Sequence, residues 1–356
     1  MKKILLWLIC FCLLFLVWCN VKDSNQWIKI WVIVPLSWPM SSKWDALKNG
    51  ILLAEEQFKG DKNIEFVFED HQYDAKTAIS AFQKLVNVDH VDMVLNRWEP
   101  TSEAIAPLVK EYEVPTIALI INDEPSKWNP YFFRFYDPSA DLIRPLPQYA
   151  SDMWYNKIAL LITENTFLQD VWNKFMNQAN ELWLQVDLLD VFQRWETNFQ
   201  TTIMRIKEWE YDAVACFLWT TSISQFHKQM EELWLNLPIL WTDFYEDPAE
   251  IEASNWTIDG TIYTSYGVNE EFRNDFMNHF GDEWQIPTAS FTYDATKMIL
   301  ERIDFSSKSS MLDSLLNINW FVWSQWEYTF INNNDDKYFS RPVILKTILN
   351  WKIANY

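Results

Sequence analysis

Residues 28–70 read IKIWVIVPLSWPMSSKWDALKNGILLAEEQFKGDKNIEFVFED, and the change of hydrophobic period along them decides the fold. Ile28–Val34 is an apolar, β-branched run of strand length. Pro35–Trp44 is a loop. Leu47, Ile51, Ala54 and Phe58 then recur at i, i+4, i+7 and i+11, which puts one apolar face on a helix. Ile64–Glu69 is a second strand. A strand, a helix of three or more turns and a second strand form a right-handed βαβ unit, and such units build a parallel sheet with helices on its faces.

The alternation continues on the C-terminal side. Asp74 is placed to cap a helix over Ala75–Asn87, with Ala78, Phe82 and Leu85 inward. Val91–Leu95 is a strand, Thr101–Glu111 a helix and Pro115–Ile121 a strand. A second series begins near Trp154. Its strands are Ile158–Thr163, Gln185–Asp190, Asp212–Leu218 and Pro238–Trp241, with helices near 168–182, 197–209 and 222–234. Two α/β units therefore follow one another, as a chain of 356 residues allows.

Composition narrows the function. Lys plus Arg is 29 against 49 Asp plus Glu, a net charge of −20. A surface that acidic repels phosphate backbones, so no nucleic-acid partner is expected. The N-terminus carries Lys2 and Lys3 followed by an apolar run, Ile4–Val17. That run is short for a membrane span and suits a secretory signal. Residues 1–18 are expected to be removed and 19–27 to form a tether. Cys10 and Cys12 leave with the signal, so the mature chain keeps Cys19 and Cys216 and no internal disulfide is expected. Cys216 lies in an apolar stretch and reads as a small core residue.

Glycine occurs 5 times and tryptophan 22 times. Ordinary usage of about 7% predicts roughly 25 glycines in such a chain. The tryptophans also sit where backbones favour glycine. Trp154, Trp183 and Trp234 each follow a helical pattern and precede a strand, where a left-handed residue closes the helix. Asn350-Trp351 separates two short strands, the place of an Asn-Gly turn. Ser37-Trp38-Pro39 falls in a turn after the first strand. The expectation is that a UGA codon for glycine has been translated as tryptophan; a chain that is truly rich in tryptophan is the alternative.

Several segments resemble the type I periplasmic binding proteins, in the branch of leucine/isoleucine/valine-binding receptors of ABC transporters. Ile28–Pro39 is similar to the family's first strand and loop, I-x-I-G-V-x-x-P-L-S-G-P. Asn49-Gly50 with Ala54-Glu55-Glu56 resembles the helix that follows. Ala104–Pro115 resembles the third helix and its strand, and Tyr293-Asp294-Ala295 a late helix. Phe321–Phe330 resembles F-x-G-x-x-G-x-x-x-F, with Trp323 and Trp326 in the glycine slots, and Asn350-Trp351-Lys352 the terminal hairpin. Leu16-Val17-Trp18-Cys19 resembles a lipobox with Cys19 as the lipidated residue, although Trp18 stands where a small residue belongs.

The resemblance implies an α/β clamshell: two doubly wound parallel-sheet lobes joined by crossover strands. Residues 28–149 plus 266–318 would form lobe 1, and 150–265 plus 319–356 lobe 2. It further implies an extracytoplasmic, lipid-anchored, monomeric receptor. Such a receptor closes on a small polar ligand, an amino acid or related carboxylate, and presents it to an ABC permease. A sensory lipoprotein on the same scaffold is the rival reading. Neither catalysis nor a cofactor is expected.

Ligands of doubly wound sheets lie beyond the carboxyl ends of strands. That rule selects Ser41 and Ser42, Thr101 and Ser102, Asn122 and Asp123, Phe167, Thr220 and Thr221, and Asp243. From the resemblance, Asp243 would take the ligand's ammonium and helix-terminal hydroxyls its carboxylate. Arg97, Glu99 and Pro100 depart from the small hydroxyl residues of the relatives. The plainer readings stay open: Thr101 as a helix cap, Asn122-Asp123 as a turn, Phe167 as core and Asp243 as a solvated carboxylate. No nucleophile–base, zinc or phosphate-loop motif occurs. Glu69-Asp70-His71 with Asp74 reads as an acidic edge and a cap rather than a metal site.

Overall fold

The computed structural model describes residues 27–34, 41–72, 74–220, 222–324, 326–333 and 336–356; the side chains at 41–43, 166–167, 248 and 326 are outside the description. Cys19, Trp38 and Thr221 lie outside the described residues.

Two sheets carry the structure. The first has eight strands in the order β11-β12-β13-β5-β4-β3-β1-β2. Its parallel part comprises β1 (Ile28–Val34), β2 (Ile64–Asp70), β3 (Met93–Arg97), β4 (Thr116–Leu119) and β5 (Phe132–Arg134). The second has seven strands in the order β15-β14-β10-β9-β8-β6-β7. Here β6 (Lys157–Thr163), β7 (Gln185–Phe192), β8 (Ala213–Phe217), β9 (Ile239–Thr242) and β10 (Ile262–Tyr266) run parallel. The late strands close both edges. β11 (Trp320–Trp323), β12 (Trp326–Asn332) and β13 (Lys337–Ser340) extend the first sheet. β14 (Val343–Leu349) and β15 (Lys352–Asn355) extend the second.

The period-2 geometry of β1 shows why this layering forms. Ile30, Val32 and Val34 enter the core beneath helices Ser41–Gln57 and Ile286–Arg302. Trp31 and Ile33 enter a separate core beneath Ala75–Lys84 and Glu99–Tyr112. A strand buried on both faces must be apolar throughout, which is how Ile28–Val34 reads. Helix Ile286–Arg302 lies so close to Ser41–Gln57 that a Cβ on Gly50 would stand 2.2 Å from the Ala289 carbonyl oxygen. Asp74 caps its helix as expected, accepting from the Thr77 N–H at 2.7 Å. Cys216 is fully buried, and burial pushes its thiol up to about 12.

Two expected boundaries are corrected. The stretch 319–356 was assigned to lobe 2, yet Trp320–Ser340 hydrogen-bonds into the first sheet and only Val343–Asn355 joins the second. The chain also switches earlier than 149: Ile143, Leu146 and Ala150 already pack in the second core. Short antiparallel strands look alike whichever sheet they extend, so local pattern does not assign them. The assignment of β13 rests instead on a buried ion pair. Arg134 of β5 is fully buried, and its Nε donates to Asp336 Oδ1 at 3.0 Å.

The tryptophans occupy unusual backbone. Trp98, Trp128, Trp154, Trp183, Trp234, Trp256 and Trp351 all have positive φ. Trp154, Trp183 and Trp234 each close a helix as expected. The N–H of the following residue donates back to the carbonyls of Ala150, Ala179 and Met230 at 2.8, 3.0 and 2.9 Å, the closure that a left-handed residue permits. Trp98, at φ 102 and ψ 128, is in backbone space held almost wholly by glycine. A left-handed conformation costs a residue with a Cβ about 1–2 kcal/mol. Seven such residues together approach the whole stability of a domain, about 5–15 kcal/mol.

Removing one partner of the Arg134–Asp336 pair leaves a buried charge alone. We expect Asp336→Ala to cost about 3–5 kcal/mol, read as a lower urea midpoint at unchanged slope. An unchanged midpoint would show that the pair does not hold β13 in place.

Candidate functional site

The chain passes between the two sheets three times, and the three passages meet at one side chain. Arg341, between β13 and β14, is almost fully buried. Its guanidinium lies 3.6 Å from the Tyr266 ring centroid and 3.7 Å from that of Phe291. Tyr266 ends β10, where the chain returns to the first sheet. Asp137 begins the first passage. Its Oδ1 accepts from the Ser340 hydroxyl at 2.8 Å and the Arg341 N–H at 3.1 Å, and its Oδ2 stands 3.6 Å from Arg341 Nε. Arg341 Nη1 also donates to the Tyr328 hydroxyl at 3.0 Å. Burial raises the Asp137 carboxyl above its ordinary range, with Arg341 opposing.

Tyr136 packs beside this cluster, with the Arg341 guanidinium 5.0 Å from its ring centroid. Its ring stacks on Phe291 with centroids 4.8 Å apart. The Arg97 guanidinium, at the carboxyl end of β3, lies 5.5 Å from the same ring centroid. Burial raises the Tyr136 phenol well above its ordinary value, and the Asp243 carboxylate adds to it; Arg97 and Arg341 act the other way, and Glu99 is a smaller raising influence. Thus charges from the first sheet (Arg97, Glu99) and from the second (Asp243) converge on one phenol. Arg97 is held by Nη1 donating to the Leu119 carbonyl at 2.6 Å. Glu99 accepts from the Ile121 N–H at 3.2 Å. Asp243 opens a short 3-10 turn, Asp243–Glu246, directly after β9. On the wall beside it, Trp219 and Trp241 meet Phe244 edge-on at 5.3 and 5.5 Å, and the Arg194 guanidinium covers Trp219 at 4.4 Å.

The other expected site residues are distributed as follows. Thr101 and Ser102 are fully buried. The Thr101 hydroxyl donates to the Trp98 carbonyl at 3.1 Å, and Ser102 accepts from the Asn96 amide at 2.6 Å. Both hydroxyls are thus engaged in fixing the helix start. Asn122 bonds Glu103 at 2.6 Å and the Glu124 N–H at 3.1 Å, and Asp123 pairs with Lys127 at 3.2 Å, all within or beside one turn. Thr220 is buried just past β8. Ser41 and Ser42 begin helix Ser41–Gln57 and Phe167 lies in the first turn of Thr166–Glu181. Tyr136, Asp137, Tyr266 and Arg341 were not anticipated. The available signal was Tyr136-Asp137-Pro138, an aromatic and an acid stopped by proline at a strand end.

Among the described residues no cluster of His, Cys, Asp or Glu is arranged to hold a metal, and no helix is long and apolar enough to cross a membrane.

Comparison with known proteins matches residues 28–304 to the family profile described as periplasmic binding protein. No curated protein sequence matches. Solved structures share the fold. The leucine-binding protein of Thermotoga maritima is 20% identical with TM-score 0.79, over 92% of this chain and 97% of that one. A branched-chain amino acid transporter substrate-binding protein of Streptococcus pneumoniae, in complex with isoleucine, is 17% identical with TM-score 0.78, over 92% and 98%. An R. palustris solute-binding protein of an ABC transporter, in complex with 4-hydroxybenzoate, is 18% identical with TM-score 0.77, over 93% and 96%.

Asp294 supports the hinge from helix Ile286–Arg302, accepting from the Ser324 N–H at 2.8 Å. Burial raises its carboxyl from 3.8 to about 6. The folded state therefore holds this proton more tightly than the unfolded chain. The contribution to stability is largest below 3.8 and declines as pH rises to about 6, by about 1.4 kcal/mol per pH unit. His227, lowered by burial to about 4, acts in the opposite sense, so the readout is a difference. We expect the stability gap between wild type and Asp294→Asn to change between pH 4 and 6 and to be constant above. A gap independent of pH throughout would contradict this.

Proposed function

The chain belongs to the periplasmic binding protein family, and from that premise we propose that it is an extracytoplasmic solute receptor of an ABC importer. The ligand proposed is an amino acid or a related small carboxylate. Residues 1–18 are a signal peptide, Cys19 carries the lipid anchor, and the mature chain acts as a monomer that presents its closed form to a membrane permease.

The carrying observation is that Arg97, 5.5 Å from the Tyr136 ring centroid at the carboxyl end of β3, and Asp243, directly after β9, place opposite charges at strand ends of the two different sheets. A zwitterion satisfies both: its carboxylate pairs with the Arg97 guanidinium and its ammonium with Asp243. The Tyr136 ring forms the floor between them, and Thr220 borders the second sheet's side. Such a ligand interacts favourably with both halves only when they are close. Binding therefore shifts the population toward a hinge-closed state, which is the signal a permease reads. This assignment gives Arg97 the role expected for Thr101 and Ser102. An aromatic carboxylate such as the 4-hydroxybenzoate of the R. palustris protein would use Arg97 without needing Asp243.

A thermal-shift panel of L-amino acids, benzoates, sugars and nucleosides on residues 20–356 tests the proposal. A ligand at 100 times its Kd stabilises by about 2.7 kcal/mol. We expect an amino acid to shift the transition and Asp243→Asn to weaken it by about 1.5–3 kcal/mol, roughly ten- to a hundredfold in Kd. Arg97→Met should weaken every carboxylate. A shift from benzoates that Asp243→Asn leaves intact would replace the amino acid with an aromatic acid. No shift from any carboxylate on a folded chain would overturn the reading.

A further inference from the structure

We infer that the chain made in the cell carries glycine at positions where this sequence reads tryptophan, and that the solute cleft is shaped by that glycine backbone.

Two independent observations carry this. The first is conformation. Seven tryptophans, at 98, 128, 154, 183, 234, 256 and 351, have positive φ, which suits glycine and strains a bulky side chain. Three of them complete helix-closing hydrogen bonds of the kind glycine serves, and Asn350-Trp351 forms the tight β14–β15 turn with both residues at positive φ. Their rings gain little in return: Trp154, Trp183 and Trp234 are 81%, 93% and 88% exposed.

The second observation concerns tryptophans that are buried. The indole N–H groups of Trp31, Trp172, Trp241 and Trp351 are enclosed without a hydrogen-bond partner. A buried indole N–H ordinarily finds an acceptor, since leaving it unpaired forfeits its hydration. Glycine has no such group to satisfy. Exposed tryptophans in strained turns and buried tryptophans with orphaned donors share no structural role. They do share one translation: UGA is read as tryptophan in one variant genetic code and as glycine in another. The chain's own Gly260 and Gly281 have positive φ too, so the backbone uses both letters for one purpose.

The consequence for the cleft rests on the solute-receptor reading. Trp98 separates Arg97 from Glu99, and glycine there leaves backbone beside the guanidinium. Trp241 stacks on Phe217 at 4.3 Å and meets Phe244 edge-on, two residues before Asp243. Glycine at 241 removes that ring and opens a recess lined by Phe217 and Phe244, suited to the apolar side chain of an amino acid whose ammonium pairs with Asp243.

Peptide mass spectrometry of the protein isolated from the cells that encode it decides the first part, whatever the ligand. The expected result is peptides spanning 98, 154, 183 and 234 that are each lighter by an indolylmethylene group, from UGA codons. Peptides carrying tryptophan at these positions, or UGG codons, would overturn it. In the chain as written, Trp183→Gly and Trp234→Gly should each raise the denaturation midpoint; a lowered midpoint counts against the inference. For the recess, the glycine-bearing chain and the same chain retaining Trp241 are compared by calorimetry with leucine and alanine. Loss of leucine binding by tenfold or more on retaining Trp241, with alanine little changed, is expected. Equal leucine affinity in both chains would overturn the recess while leaving the receptor reading and the mass result intact.

Discussion

The guanidinium of Arg341 ties together the passages of the chain between its two sheets. It lies within 4 Å of the Tyr266 and Phe291 ring centroids, and the Asp137 carboxylate accepts from its backbone N–H. Each partner belongs to a different passage of the chain or to the helix packed against it. A buried arginine tolerates this setting because its planar cation is weakly hydrated and is favoured over aromatic faces. The cluster thereby makes three single-stranded connections behave as one joint.

The proposed solute site lies beside that joint. Parallel strands deliver their carboxyl ends toward it from both sides, so loops after β3 and β9 face a common space. Tyr136 is buried between that joint and the carboxyl end of β3. Its buried phenol registers Arg97 from one half and Asp243 from the other. In the proposed site the joint and the cleft are one construction: Tyr136, the proposed floor, has the Arg341 guanidinium 5.0 Å from its ring centroid. A ligand that draws the two charged groups together acts directly on the hinge, with no intervening relay.

Strain tells a second story. Natural proteins concentrate disallowed backbone at functional sites, where surrounding structure holds it in place. Here positive φ at tryptophan is spread over helix ends and turns with no shared function, as at Trp154, Trp183 and Trp234. Those positions are the ordinary punctuation of an α/β fold. The conflict lies between the side chains and a backbone that is otherwise regular, down to the hydrogen bonds that close each helix.

Much of this was legible in the residues alone. The apolar run of β1, the helical spacing after it, the Asp74 cap and the left-handed helix ends all arise from interactions within a few residues, which periodicity reports directly. The alternation of such elements was enough for two α/β units. What the sequence by itself did not determine is which late strands extend which sheet, and which side chains meet at the hinge and cleft. Arg134 and Asp336 are 202 positions apart, and Asp137 and Arg341 are 204 apart. No local pattern marks such pairs, because each is made only after both sheets have formed and brought their ends together. For the same reason Thr101 and Ser102 looked like open hydroxyls at a helix start. Only tertiary packing decided that they are enclosed, and that the Arg97 guanidinium lies over the Tyr136 ring.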